Sequence, residues 1–129
     1  MKLLKTLSII AFFFTSTISF AQNTTFDCKK LKSIKLRYVE NIDKTAYILI
    51  KNNKHIEFFE GQKYFIKSDL KWINDCEYIA TMTEITVPDF PFKVGESMNV
   101  KFEKIAEGFI YGTATVQGNN YPLKFEIVK

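Results

Sequence analysis

The chain has 129 residues, 47% of them hydrophobic and 25% charged, with a formal net charge of +4. That length supports one ordinary domain with its own core and is too short for two. Arg37 is the single arginine, whereas nucleic-acid and phosphate sites favour the bidentate guanidinium, so the basic balance is read as a solvated lysine surface and not as a nucleic-acid partner site.

Taken in chain order, Met1, Lys2 and Lys5 precede an apolar run through Phe14, and Ser19-Phe20-Ala21 precedes Gln22. A positive start, an apolar stretch and small residues at the cleavage positions make up a secretory signal peptide. Residues 1–21 are therefore read as a leader and 22–129 as a single mature domain, exported to the periplasm or secreted. The apolar run is short for a span of about 20 residues, so no membrane span remains after cleavage. Lys2 and Lys5 leave with the leader, so 18 basic residues become 16 against 14 acidic ones, a net charge of +2. Cys28 and Cys76 are the only cysteines. An even count in an exported chain predicts one disulfide between them.

Beyond Ser33, short β-rich runs alternate with turn signals. Ile34, Leu36 and Tyr38 share one face against Lys35 and Arg37, the period-two pattern of a half-buried strand. Asn41 to Lys44 turns the chain into an apolar strand from Ala46 to Lys51. Asn52-Asn53 then supplies hairpin dihedrals, and His55 to Phe59 returns. Tyr64, Ile66, Ser68, Leu70 and Trp72 alternate with Phe65, Lys67, Asp69 and Lys71 in a long strand. From Glu77 to Val87 the composition suits a strand, but Tyr78, Ala80 and Met82 share one parity while Ile79 and Ile85 hold the other, which calls for a bulge or two covered faces. Met98 to Glu103, Phe109 to Val116 and Tyr121 to Ile127 follow, separated by Glu107-Gly108 and by Gln117 to Asn120. Eight strands joined by tight turns predict an all-β fold, an antiparallel up-and-down meander closed into a small barrel of the lipocalin (calycin) type. Such a barrel either packs solid or encloses one small ligand.

Trp72-Ile73-Asn74-Asp75-Cys76-Glu77-Tyr78 resembles the W-x-x-x-C-x-Y core of a family of short exported proteins common in Bacteroidota. The likeness extends to the early Cys28, to a hairpin reading Ile50-Lys51-Asn52 and His55-Ile56-Glu57, and to the strand from Gly95 through Phe102. Lys51 stands where the family tends to have arginine, and His55 where it tends to have glutamine. The resemblance implies a lipocalin-like barrel outside the cytosol and assigns no activity. Some relatives carry the label DNA topoisomerase IV, and a short exported chain with one arginine does not support it.

Candidate sites are few. His55 is the only histidine; on a hairpin strand beside Glu57, it reads as a surface or pocket-rim residue. Lys51 and Glu57 are expected to face each other across that hairpin. Gly95-Glu96-Ser97 opens like a nucleophile elbow but lacks the second glycine. No spacing of His, Cys and carboxylates forms a metal set, and no cofactor is implied. In Pro88-Asp89-Phe90-Pro91-Phe92 two prolines stiffen a loop whose Phe90 and Phe92 belong to no strand. They are expected to plug the barrel mouth or to touch a ligand or partner. Trp72 and Tyr78 are further candidates, Trp72 reading first as a core plug beside the Cys28–Cys76 bridge. These residues lead to a non-enzymatic binding module for a small apolar or amphipathic ligand. The alternative is a protein-interaction or inhibitor module with a solid core, working through Pro88 to Phe92.

Overall fold

The computed structural model describes residues 27–129, and the leader reading of residues 1–21 lies outside them. Eight strands follow one another around a closed barrel, each antiparallel to its neighbours. They are β1 (Ile34–Tyr38), β2 (Tyr47–Lys51), β3 (Lys54–Phe59), β4 (Tyr64–Asn74), β5 (Glu77–Ile85), β6 (Ser97–Ala106), β7 (Phe109–Val116) and β8 (Asn119–Ile127). The anticipated all-β meander is thus the observed one. β1 and β8 close the barrel with Leu36 opposite Ile127 and Tyr38 opposite Phe125.

Alternation along each strand sends one set of side chains inward. Leu36, Ile48, Ile50, Ala80, Val100 and Ile110 are among the buried residues of one continuous core. In the hairpin between β2 and β3, Asn52 and Asn53 hold φ of 52° and 58°. Asparagine tolerates that region, and a two-residue turn fixes the register. Ile50 therefore faces His55, and Ile48 faces Glu57. The parity of Ile85 has its cause in a bulge, because Lys67 pairs with Glu84 but Ser68 pairs with Met82, whereas Ile79 lies before the bulge, opposite Lys71 on the outer face. Thr83 is the extra residue, and its hydroxyl donates to the Lys67 carbonyl at 3.1 Å. Tyr78, Ala80 and Met82 consequently line up with the core, while Ile85 comes opposite buried Ile66. Gly112, opposite Phe102, permits a close approach of β6 and β7: a Cβ there would lie 2.6 Å from the Lys101 carbonyl oxygen.

Antiparallel order places the turns after β2, β4 and β6 at one end and the loops after β1, β3, β5 and β7 at the other. The first end is stoppered by a 3-10 helix, Cys28–Lys32, whose N-terminus is capped by the Asp27 carboxylate accepting from the Lys29 amide. Leu31 is fully buried beneath it. The expected disulfide joins Cys28 to Cys76 in the β4–β5 turn. Lys32 adds an exposed ion pair to Asp75 at 3.3 Å, which contributes at most about 1 kcal/mol. At the other end the β5–β6 loop is tied down on both sides. Thr86 N–H donates to the Phe65 carbonyl at 3.0 Å, and Gly95 N–H to the Met82 carbonyl at 2.8 Å. The two ends of β8 also differ. β7 pairs with it out to Asn119, but β1 departs after Tyr38, where Val39 N–H donates to the Lys124 carbonyl at 3.2 Å.

Candidate functional site

The register that follows from the Asn52-Asn53 turn carries polar groups into the barrel. His55 is 3% exposed and Ser68 is 1% exposed, and the two are paired across β3 and β4. His55 was expected at the surface or on a pocket rim; it lines a cavity but is buried and not exposed, because the turn sets it opposite Ile50, on the inward face. Lys51 and Glu57 do not meet. Lys51 pairs with Lys54 and is exposed, whereas Glu57 sits between Ile48 and Ile66. The hairpin group is thus divided, with His55 and Glu57 inside and Lys51 outside.

Around His55, Glu57 and Ser68 lies a cavity of about 80 Å³. Ile66, Met82, Met98 and Val116 form its apolar walls, and Phe90 and Phe92 cover it. The two phenyl rings meet edge to face, 5.6 Å between centroids. The loop from Pro88 to Phe92 therefore closes the barrel mouth, one of the two roles expected for it. Trp72 and Tyr78 do not reach this cavity. Tyr78 is 2% exposed and packs in the core against Trp72, with ring centroids 5.1 Å apart, and Trp72 lies beside the 3-10 helix with the Lys32 ammonium 5.6 Å from its ring.

Two buried polar atoms of the site have no hydrogen-bond partner among the described residues: Nδ1 of His55 and Oγ of Ser68. Orphaned groups of this kind are uncommon, since each forgoes its hydration for nothing in return. Burial holds the His55 pKa below the ordinary imidazole value, and the Glu57 carboxylate opposes that shift without cancelling it. Burial, followed by the same carboxylate, raises the Tyr38 phenol well above its usual range. The site therefore offers a neutral imidazole and a hydroxyl, with one acidic group nearby and hydrocarbon elsewhere. Among the described residues no cluster of three or more His, Cys, Asp or Glu could hold a metal ion.

A neutral buried histidine makes stability depend on pH with a definite sign. Above about pH 6.5 both folded and unfolded forms are uncharged at this position. As pH falls below that value the unfolded chain takes up a proton that the folded chain resists. Stability is lost progressively, by no more than about 1.4 kcal/mol per pH unit, until the pH has passed the lower folded pKa. Urea unfolding between about pH 7.5 and 5 is expected to show a steeper loss in the natural protein than in a His55→Gln variant. Equal slopes in the two proteins would contradict the assignment.

Ser68 was legible in the sequence as a polar residue on the apolar face of a long strand, although it was not singled out as a candidate. The pairing of His55 with the core followed from turn length plus the inward parity of Ile48 and Ile50, a signal that residue type alone obscures. No protein family model matches this chain, no curated protein matches it, and no solved structure matches it.

Proposed function

We propose that the chain is an exported, non-enzymatic binding module of the group that its Trp72–Tyr78 core resembles, and that it holds a small amphipathic molecule in the cavity between His55 and Ser68. The observation carrying this reading is the pair of unpartnered buried polar atoms, His55 Nδ1 and Ser68 Oγ, beside a cavity of about 80 Å³ with apolar walls. A head group that both donates and accepts would satisfy them, and its apolar part would rest against Met82, Met98 and the two phenylalanines. The volume is well below the few hundred Å³ of a drug-sized pocket. It suits a molecule of a handful of heavy atoms. The Glu57 carboxylate disfavours an anionic head group. Ser68 Oγ and His55 Nδ1 are not hydrogen-bonded to each other, which supports a binding role over one as nucleophile and base. In this reading Phe90 and Phe92 serve as a lid, since both line the cavity. Export accords with the Cys28–Cys76 disulfide, which persists in oxidising compartments.

Native mass spectrometry of protein purified from its own host is expected to show a bound small molecule that unfolding releases. Ser68→Ala should weaken its binding about tenfold. The same change removes a buried hydroxyl that has no partner, so the free protein should be at least as stable as before. A crystal structure of the host-purified protein with only water in the cavity, together with a purely unliganded mass, would overturn the proposal.

A further inference from the structure

At the opposite end of the barrel from the lid, a groove of about 610 Å³ runs between the 3-10 helix and the lower parts of β1, β6, β7 and β8. Its floor is hydrocarbon from Leu31, Ile34, Ile105, Ile110 and Ile127. Ile105 is 42% and Ile127 45% exposed, and both of these large apolar side chains line the same groove. The upper margin carries Lys29, Lys30 and Lys32 against one carboxylate, Asp27. Asp27 is committed to capping the helix through the Lys29 amide at 3.1 Å, and Lys32 is held by Asp75. Among the described residues Lys29 and Lys30 make no ion pair. The disulfide from Cys28 to Cys76 fixes the segment that bears them, so both ammonium groups stand at the mouth of an apolar trough on an anchored support.

We propose that this groove binds a single-chain amphipathic anion, its alkyl chain lying on the isoleucine floor and its head group meeting Lys29 and Lys30. Charge complementarity selects an anion over a neutral or cationic amphiphile. The concave shape selects a free monomer over a bilayer, which would be met by apolar side chains on a protruding surface. The site is independent of the lidded cavity, whose acidic neighbour Glu57 favours the opposite head-group charge.

Titration of the purified protein with dodecanoate below its micellar concentration, followed by NMR, tests this. Saturable shifts are expected at Ile34, Ile105, Ile110 and Ile127, with no change at Phe90 and Phe92. Dodecanol should bind at least tenfold more weakly. A Lys29→Gln/Lys30→Gln double variant alters only exposed side chains and should fold normally while losing about tenfold in dodecanoate affinity. Ile105→Asn should weaken dodecanoate and dodecanol alike. Equal affinity for dodecanol and dodecanoate, shifts confined to the lidded cavity, or association with phosphatidylglycerol vesicles but not with free dodecanoate would each overturn the proposal.

Discussion

A Cys28→Ala/Cys76→Ala protein is expected to lose about 4 kcal/mol of unfolding free energy relative to the oxidised form. The bridge spans 48 residues of sequence, so it removes a large set of open conformations from the unfolded chain. A domain of this size has about 5 to 15 kcal/mol in total. The loss is correspondingly severe, and the melting temperature should fall by about 15 °C or more. The folded state suffers too. The 3-10 helix is held to the barrel by this bond, by the burial of Leu31 and by the exposed Lys32–Asp75 pair, and once the bond is gone only the last two of these remain. Denaturant melts of the natural protein with and without reductant should reproduce the difference between the natural protein and the variant. A shift below about 5 °C in both comparisons would show that the bridge is dispensable.

Tyr78→Ala is expected to destabilise by about 3 to 5 kcal/mol, the range for truncating a large buried aromatic side chain. Tyr78 is the largest of the fully buried side chains. Its ring meets Trp72 at 5.1 Å, Phe102 at 5.9 Å and the His55 imidazole at 6.1 Å, so it joins β5 to its neighbours β4 and β6 and also to β3. Removing it leaves a void that three rings cannot all close. Tyr78→Phe keeps the ring and should cost far less, and urea midpoints of the two variants separate the contributions of volume and hydroxyl. If Tyr78→Ala changed the midpoint no more than Tyr78→Phe, the central packing role would be wrong.

The architecture was readable because its main signal is parity. Ile34-Leu36-Tyr38, Ile66-Ser68-Leu70-Trp72 and Leu123-Phe125-Ile127 alternate cleanly, and turn residues mark every reversal. Parity failed in β5 because one inserted residue, Thr83, flips every position after it, and nothing in the composition of Thr81 to Ile85 marks where the insertion falls. The site was harder to see for a different reason. His55 lies in a stretch, Lys51 to His55, where every residue is polar, so chemistry points outward while register points inward. Glu57 was misplaced opposite Lys51 by pairing charges instead of counting from the turn. The Pro88 to Phe92 loop was singled out by its two stray aromatics, read as either a closure or a contact for a ligand or partner, since phenylalanines outside strands must bury themselves on something. What they cover depends on residues from β3 to β7 converging in space, which no local pattern encodes.

The unequal pairing of β8 bears on how copies of this protein meet one another. From Asn119 to Leu123 the strand has β7 on one side and no β1 residue in register on the other. Such a margin, where backbone groups have no neighbouring strand in register, is the usual template for edge-to-edge growth into aggregates or fibrils. Pro122 lies in the middle of it. Proline occurs in strands where its nitrogen faces away from the ladder, so here it deletes a donor from the free margin and bars an incoming strand from completing its hydrogen bonds. One imino acid thus keeps the opened seam of an otherwise closed sheet from acting as a seed, and favours a protein that stays dispersed when concentrated.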